Sequence, residues 1–124
     1  MEPASQEIDR LTAIDAQFLT NENENSHMHI GAVMIFDGDP PTYDEFKAHI
    51  ASRLGFVPRY RQKLVYPPYA TGRPLWADDP DFTLNYHLRH TALPKPGGER
   101  ELKILASRLF SQSLDRSKPL WEMY

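Results

Sequence analysis

Eleven prolines divide this chain, and they fall between its hydrophobically patterned segments rather than inside them. Proline has no backbone N–H to give to a helix or a sheet ladder, and it pushes the preceding residue towards extended conformations. Regular elements are therefore expected to lie between the prolines. The stretch from Val57 to Trp76, with Pro58, Pro67, Pro68 and Pro74, is expected to be irregular. Only Gln62 to Tyr66 within it is long enough to pair, as an edge strand.

The segments between the prolines carry start and stop signals. Thr12-Ala-Ile-Asp15 has the form of a capping box and predicts a short helix from Ala13 to about Asn21, with Ile14, Gln17 and Phe18 along one side. Thr42-Tyr-Asp-Glu45 repeats the signal after Pro41 and predicts an amphipathic helix from about Tyr43 to Leu54, ended at Gly55. A third helix is expected from Glu99 to about Leu114, presenting Leu102, Leu105, Ala106, Leu109 and Phe110. Met28 to Phe36 is apolar on both alternating sets and predicts an internal strand closed by the Asp37-Gly38 turn. Trp76 to Asp81 reads as an acidic loop. Phe82, Leu84, Tyr86 and Leu88 alternate with polar residues and predict a half-buried strand, and Leu120 onward predicts another. The fold class expected is α/β, a mixed sheet with helices packed on it. The last residues, Pro119 to Tyr124, read as the start of a buried strand without a following turn or polar tail. The expectation is a chain cut before its fold is complete: a polar segment over residues 1–10, then a partial domain over residues 11–124.

Composition narrows function by exclusion. The net charge is 14 − 17 = −3, and no nucleic-acid-binding module is recognisable, so no nucleic-acid partner is expected. There is no cysteine, which removes thiolate catalysis and disulfides and fits a reducing, cytoplasmic compartment. No run approaches the roughly 18 apolar residues of a membrane span, so membrane contact is expected to be peripheral. The charge is uneven. From Phe46 to Ala77 stand Lys47, Arg53, Arg59, Arg61, Lys63 and Arg73, with no Asp or Glu. Such a block suits an anion, whether a phosphate, a CoA tail or an acidic membrane face, or is simply a solvated basic surface. Arg59, Arg61 and Lys63 are the best placed, because they fall within a few residues.

Several motifs resemble, in order, those of the bacterial wax ester synthase/diacylglycerol acyltransferase family. They are Leu11-Thr-Ala-Ile-Asp15-Ala-Gln-Phe18-Leu19, Met28-His29-Ile30-Gly31 through Phe36-Asp37-Gly38, Val57-Pro-Arg-Tyr-Arg61-Gln-Lys-Leu, Trp76-Ala-Asp-Asp-Pro80-Asp-Phe82, Tyr86-His87-Leu-Arg89-His90, and Ser111 through Asp115-Arg116 to Pro119-Leu120-Trp121-Glu122. No single piece is specific; their collinearity is. The resemblance implies transfer of a fatty acyl group from acyl-CoA to a long-chain alcohol or diacylglycerol, on a CoA-dependent acyltransferase fold of two related domains with a tunnel between them. Acyl-CoA is then a substrate, and no separate cofactor is implied. The family's catalytic signature is His-His-x-x-x-Asp-Gly, shortly after Pro-Leu-Trp. This sequence has no His-His pair. The catalytic histidine is therefore expected downstream of Tyr124, in a missing C-terminal remainder. The resemblance also carries the expectation of peripheral association with the inner membrane or lipid inclusions. The alternative expected is a non-catalytic lipid-surface or protein-interaction module.

The chemistry needs a base near neutral pH, which draws attention to the histidines. His27 and His29 are two apart and would share a strand face. That spacing suits a metal, but with no third ligand evident nearby, packing or hydrogen bonding is expected and no metal site is assigned. His49 is expected to be exposed on the second helix. His87 and His90 flank Arg89, with substrate lining as the functional reading and a structural hydrogen bond as the bland one. Ser111 and Ser113 lack a Gly-x-Ser-x-Gly elbow and read as helix-end residues. Pro119, Leu120 and Trp121 are expected either to pack so that the downstream motif is positioned, or to line the acyl tunnel. Trp121 has about 150–250 Å² to bury in either role.

Overall fold

The structure is a computed structural model that describes residues 9–124. Asp9–Arg10 forms a short strand, β1. Leu11 is buried behind it and leads into helix α1, Ala13–Asn21. Thr12 caps α1 as expected, its hydroxyl accepting from the Asp15 N–H at 3.2 Å. Helix α2, Tyr43–Arg53, starts on the complete capping box: Thr42 Oγ1 accepts from Glu45 N–H at 3.2 Å, and Glu45 Oε2 accepts from Thr42 N–H at 3.0 Å. Its last turn tightens into a 3₁₀ segment, Leu54–Phe56, at the predicted stop.

A second 3₁₀ turn, Pro58–Arg61, feeds strand β2, Gln62–Val65, the predicted edge strand. It pairs antiparallel with β3, Leu75–Asp78, setting Leu64 opposite Trp76. On the other side β1 pairs with β3, Asp9 opposite Trp76 and Arg10 opposite Leu75. The sheet order is β1-β3-β2. A short helical turn, α3 (Leu84–His87), and helix α4 (Glu99–Phe110) complete the elements. Leu11, Leu54, Leu64 and Leu88 are the buried aliphatic side chains among the described residues. Most of the polar segment expected over residues 1–10 lies outside the described residues.

Five sequence expectations are corrected. Leu75–Asp78 is the central strand rather than part of an acidic loop, because β2 returns to it across a short connection and the polar pair Asp9–Arg10 reaches it from a distant part of the chain. Phe82 to Leu88 is not a strand. The Leu88 N–H bonds the Leu84 carbonyl at 2.8 Å, and this helical closure sends the adjacent side chains of His87 and Leu88 both inward, each 1% exposed. A strand sends neighbouring side chains to opposite faces. Helix α4 ends at Phe110 rather than near Leu114.

The fourth correction concerns Met28 to Phe36, which joins no sheet. Ile30 is 98%, Ile35 77% and Phe36 82% exposed. An apolar strand needs a ladder partner and cover on its faces, and the described residues supply neither here. The start of this run lies instead against the C-terminal end of α4. A Cβ on Gly31 would meet the Phe110 ring, which would have to shift to admit it. Beyond Leu120 the expected strand amounts to one parallel bridge, Leu88 to Met123, with Met123 N–H on the His87 carbonyl at 2.7 Å and Arg89 N–H on the Met123 carbonyl at 2.8 Å.

Candidate functional site

The densest arrangement of chemistry-bearing side chains is an aromatic stack that joins α3 to residues 119–124. Because α3 turns His87 inward, its imidazole lies between the rings of Phe82 (centroids 5.2 Å apart) and Trp121 (4.7 Å), both nearly parallel to it, with Tyr86 edge-on at 5.0 Å. His87 Nδ1 lies 2.7 Å from the Trp121 carbonyl oxygen. A carbonyl only accepts, so Nδ1 carries the proton. Trp121 is half-buried and donates its indole N–H to the Tyr60 carbonyl at 2.8 Å, while its ring meets Tyr60 edge-on. Pro119 is buried and Leu120 half-buried. The Pro119-Leu120-Trp121 motif is thus tied to the 3₁₀ turn at Tyr60 and to α3.

Beside this stack stands a polar rim. The Arg89 guanidinium lies over the rings of Tyr86 and Tyr124, donates to the Tyr86 carbonyl (2.8 Å) and the Tyr124 hydroxyl (3.0 Å), and faces Glu122 at 3.7 Å. Burial, followed by the charges of Glu122 and Asp115, pushes the Tyr86 phenol above its ordinary range. Tyr43 on α2 donates to the Leu88 carbonyl at 2.7 Å and stacks on His90.

Each member of the expected cationic trio has its own partners. Arg59 pairs with Asp9, lies over the Trp76 ring at 4.6 Å and donates to the Gln62 side chain. Lys63 sits 3.6 Å from the nearly buried Asp79 carboxylate. Arg61 lies over the Phe82 ring at 5.4 Å. Two of the three are thus matched with carboxylates from segments outside the acid-free block.

The remaining histidines divide between surface and backbone contacts. His49 is exposed on α2, and His90 is exposed. His27 and His29 place Nε2 at 2.8 Å from the Ser111 carbonyl and 3.1 Å from the Phe110 carbonyl. An open cleft of about 470 Å³ lies elsewhere, between α1 and the segment before β3, lined by Leu19, Tyr66, Arg73, Pro74 and Arg116 among others. Its two arginines come from residues far apart in sequence, so no local pattern announced it. Ser111 spends its hydroxyl on the Ser107 carbonyl at 2.6 Å, as a helix-end residue.

The catalytic-domain model of the wax ester synthase/diacylglycerol acyltransferase family matches residues 11–124. A Mycobacterium tuberculosis protein, described as a probable diacylglycerol O-acyltransferase and named tgs3, is 40% identical over 119 residues. That alignment takes in 94% of this chain and 44% of the relative. A second protein of that organism with the same description, tgs1, is also 40% identical, and the chain covers 26% of it. Among solved structures, the wax ester synthase/diacylglycerol acyltransferase of Marinobacter aquaeolei VT8 superposes with a TM-score of 0.62 at 29% identity, over 92% of this chain and 28% of that one. The chain therefore spans less than half the length of the curated relatives it matches.

Proposed function

The chain belongs to the wax ester synthase/diacylglycerol acyltransferase family, and from that premise we propose that residues 11–124 form the N-terminal part of an O-acyltransferase. The reaction is transfer of a fatty acyl group from acyl-CoA to diacylglycerol or a long-chain alcohol. The hydroxyl loses its proton to a histidine base, its oxygen attacks the thioester carbonyl, and the carbon–sulfur bond breaks to release CoA as the thiol. In this reading the base comes from polypeptide beyond these residues, and the present residues are scaffold. The stack of Phe82, His87 and Trp121 fixes the position of Pro119-Leu120-Trp121 and, through it, the point at which the downstream catalytic segment would begin.

The observation that carries the scaffold reading is the fate of the histidines. His87 is locked in the stack, His27 and His29 contact backbone carbonyls, and His49 and His90 are exposed. None of them, among the described residues, lines the cleft beside α1. The purified 124-residue chain is accordingly expected to form no ester from an acyl-CoA with hexadecanol or diacylglycerol. Robust turnover by this chain would refute the reading.

A second reading, peripheral contact with the inner membrane or with lipid inclusions, draws on the exposed run Ile30, Met34, Ile35 and Phe36. Arg59, Arg61 and Lys63 would supply the attraction to anionic headgroups or to the CoA phosphates. No helix among the described residues is long and apolar enough to cross a membrane. Changing the three cations to glutamine is expected to flatten the salt dependence of binding to anionic vesicles. An unchanged dependence sinks the membrane reading and leaves the acyltransferase reading intact.

A further inference from the structure

We propose that Glu22, His27 and His29 form a binding site for a single divalent transition cation of the zinc type. One donor atom from each of the three lies within 4.8 Å of the other two. This geometry holds whether or not the acyltransferase reading does.

The histidine tautomers are set by their neighbours. Nε2 of His27 faces the Ser111 carbonyl and Nε2 of His29 faces the Phe110 carbonyl. Since a carbonyl only accepts, each Nε2 carries a proton, and each neutral ring keeps a lone pair on Nδ1. Those two Nδ1 atoms are the buried side-chain polar atoms left without a hydrogen-bond partner among the described residues. Buried polar atoms are rarely left unpaired, and an ion is one of the few things that accounts for such a pair. A ring that donates one N–H to a backbone carbonyl and turns a bare nitrogen inward is the outer-shell arrangement found around metal-bound imidazoles. The two rings stack at 5.4 Å between centroids, and one donor atom of each lies within 4.8 Å of the other and of a Glu22 oxygen.

Glu22 adds the charge. It follows α1 directly, and its Oε2 accepts the Met28 N–H at 3.0 Å while its Oε1 faces Arg116 at 3.4 Å. Each carboxylate oxygen has lone-pair capacity beyond those bonds. A glutamate carboxyl is ordinarily ionised at neutral pH, so it meets a cation as an anion. A two-imidazole, one-carboxylate set with an open fourth position suits zinc better than the oxygen-seeking magnesium or calcium. The bound ion would clasp the turn after α1 to the C-terminal end of α4, through the two carbonyls that hold the rings.

The test is calorimetric titration of the 124-residue chain with Zn²⁺, with Mg²⁺ as the contrasting ion. One Zn²⁺ per chain is expected, weakened about tenfold or more by Glu22→Gln, by His27→Gln or by His29→Gln, and unchanged by His49→Gln. Nitrogen-15 spectra of the unsubstituted chain provide a readout that does not depend on a variant folding: Zn²⁺ is expected to shift Nδ1 of both His27 and His29 and leave Nε2 protonated. Absence of binding, binding insensitive to all three ligand substitutions, or a zinc-induced shift at Nε2 instead of Nδ1 would each overturn the site. A water bridging the two rings, seen as slowly exchanging and undisplaced by Zn²⁺, would do the same.

Discussion

Leu88→Ala is expected to cost the chain about 2–5 kcal/mol of unfolding free energy, whereas Ile30→Ala is expected to cost less than about 0.5 kcal/mol. Both remove part of a branched aliphatic side chain from a segment whose pattern reads as a strand. They differ in where the side chain lies, 1% exposed for Leu88 and 98% for Ile30. Leu88 is one of few buried aliphatics, so the space it leaves has little freedom to close without moving the Leu88–Met123 bridge. Domains are stable by only about 5–15 kcal/mol in total, so the loss is a large share. Urea unfolding followed by far-ultraviolet circular dichroism gives both numbers. The Leu88 variant should show a sharply lowered midpoint or no cooperative transition, and the Ile30 curve should overlay that of the unsubstituted chain. Equal costs would mean that the Met28–Phe36 run is covered in solution, and the exposed conformation would be wrong.

Trp121→Ala is expected to cost about 3–5 kcal/mol, and Trp121→Phe only about 1–2 kcal/mol. Alanine removes the ring stacked on His87 and the edge contact to Tyr60, together with the indole donor to the Tyr60 carbonyl. Phenylalanine can keep most of the stack and forfeits chiefly the hydrogen bond. The same pair of variants, placed in a longer acyltransferase containing this segment, separates the two roles proposed for Pro119-Leu120-Trp121. A wedge that positions the downstream motif predicts equal loss of rate for short and long acyl chains. A tunnel wall predicts a shifted chain-length preference for Trp121→Phe. If neither stability nor transfer responds to Trp121→Ala, both roles are lost.

The structure also shows why a cation count is a poor guide to an anion site. Arg59, Arg61 and Lys63 are close in sequence and free of nearby acids, yet Asp9 and Asp79 come to two of them through the sheet and the turn after β3. The exposed Arg59–Asp9 pair contributes about 0–1 kcal/mol. The main effect of both pairs is on availability, because an incoming phosphate must compete with a carboxylate already in place.

What the residues determined by themselves is the local chemistry. Thr12 and the Thr42–Glu45 box set two helix starts, Gly55 marks the end of α2, Gln62 to Val65 carries its strand pattern, and the collinear motifs carry the family. The helix starts are decided within a few residues, by a hydroxyl reaching an N–H three positions on. What only the tertiary structure decided is whatever needed a distant partner: the sheet position of Leu75–Asp78, the inward turn that buries His87 against Trp121, the unpaired state of Met28–Phe36, and the meeting of Glu22 with His27 and His29. Alternation states which faces a strand would offer, but a strand forms only where another backbone supplies its hydrogen bonds, and no spacing within a segment records whether that partner arrives.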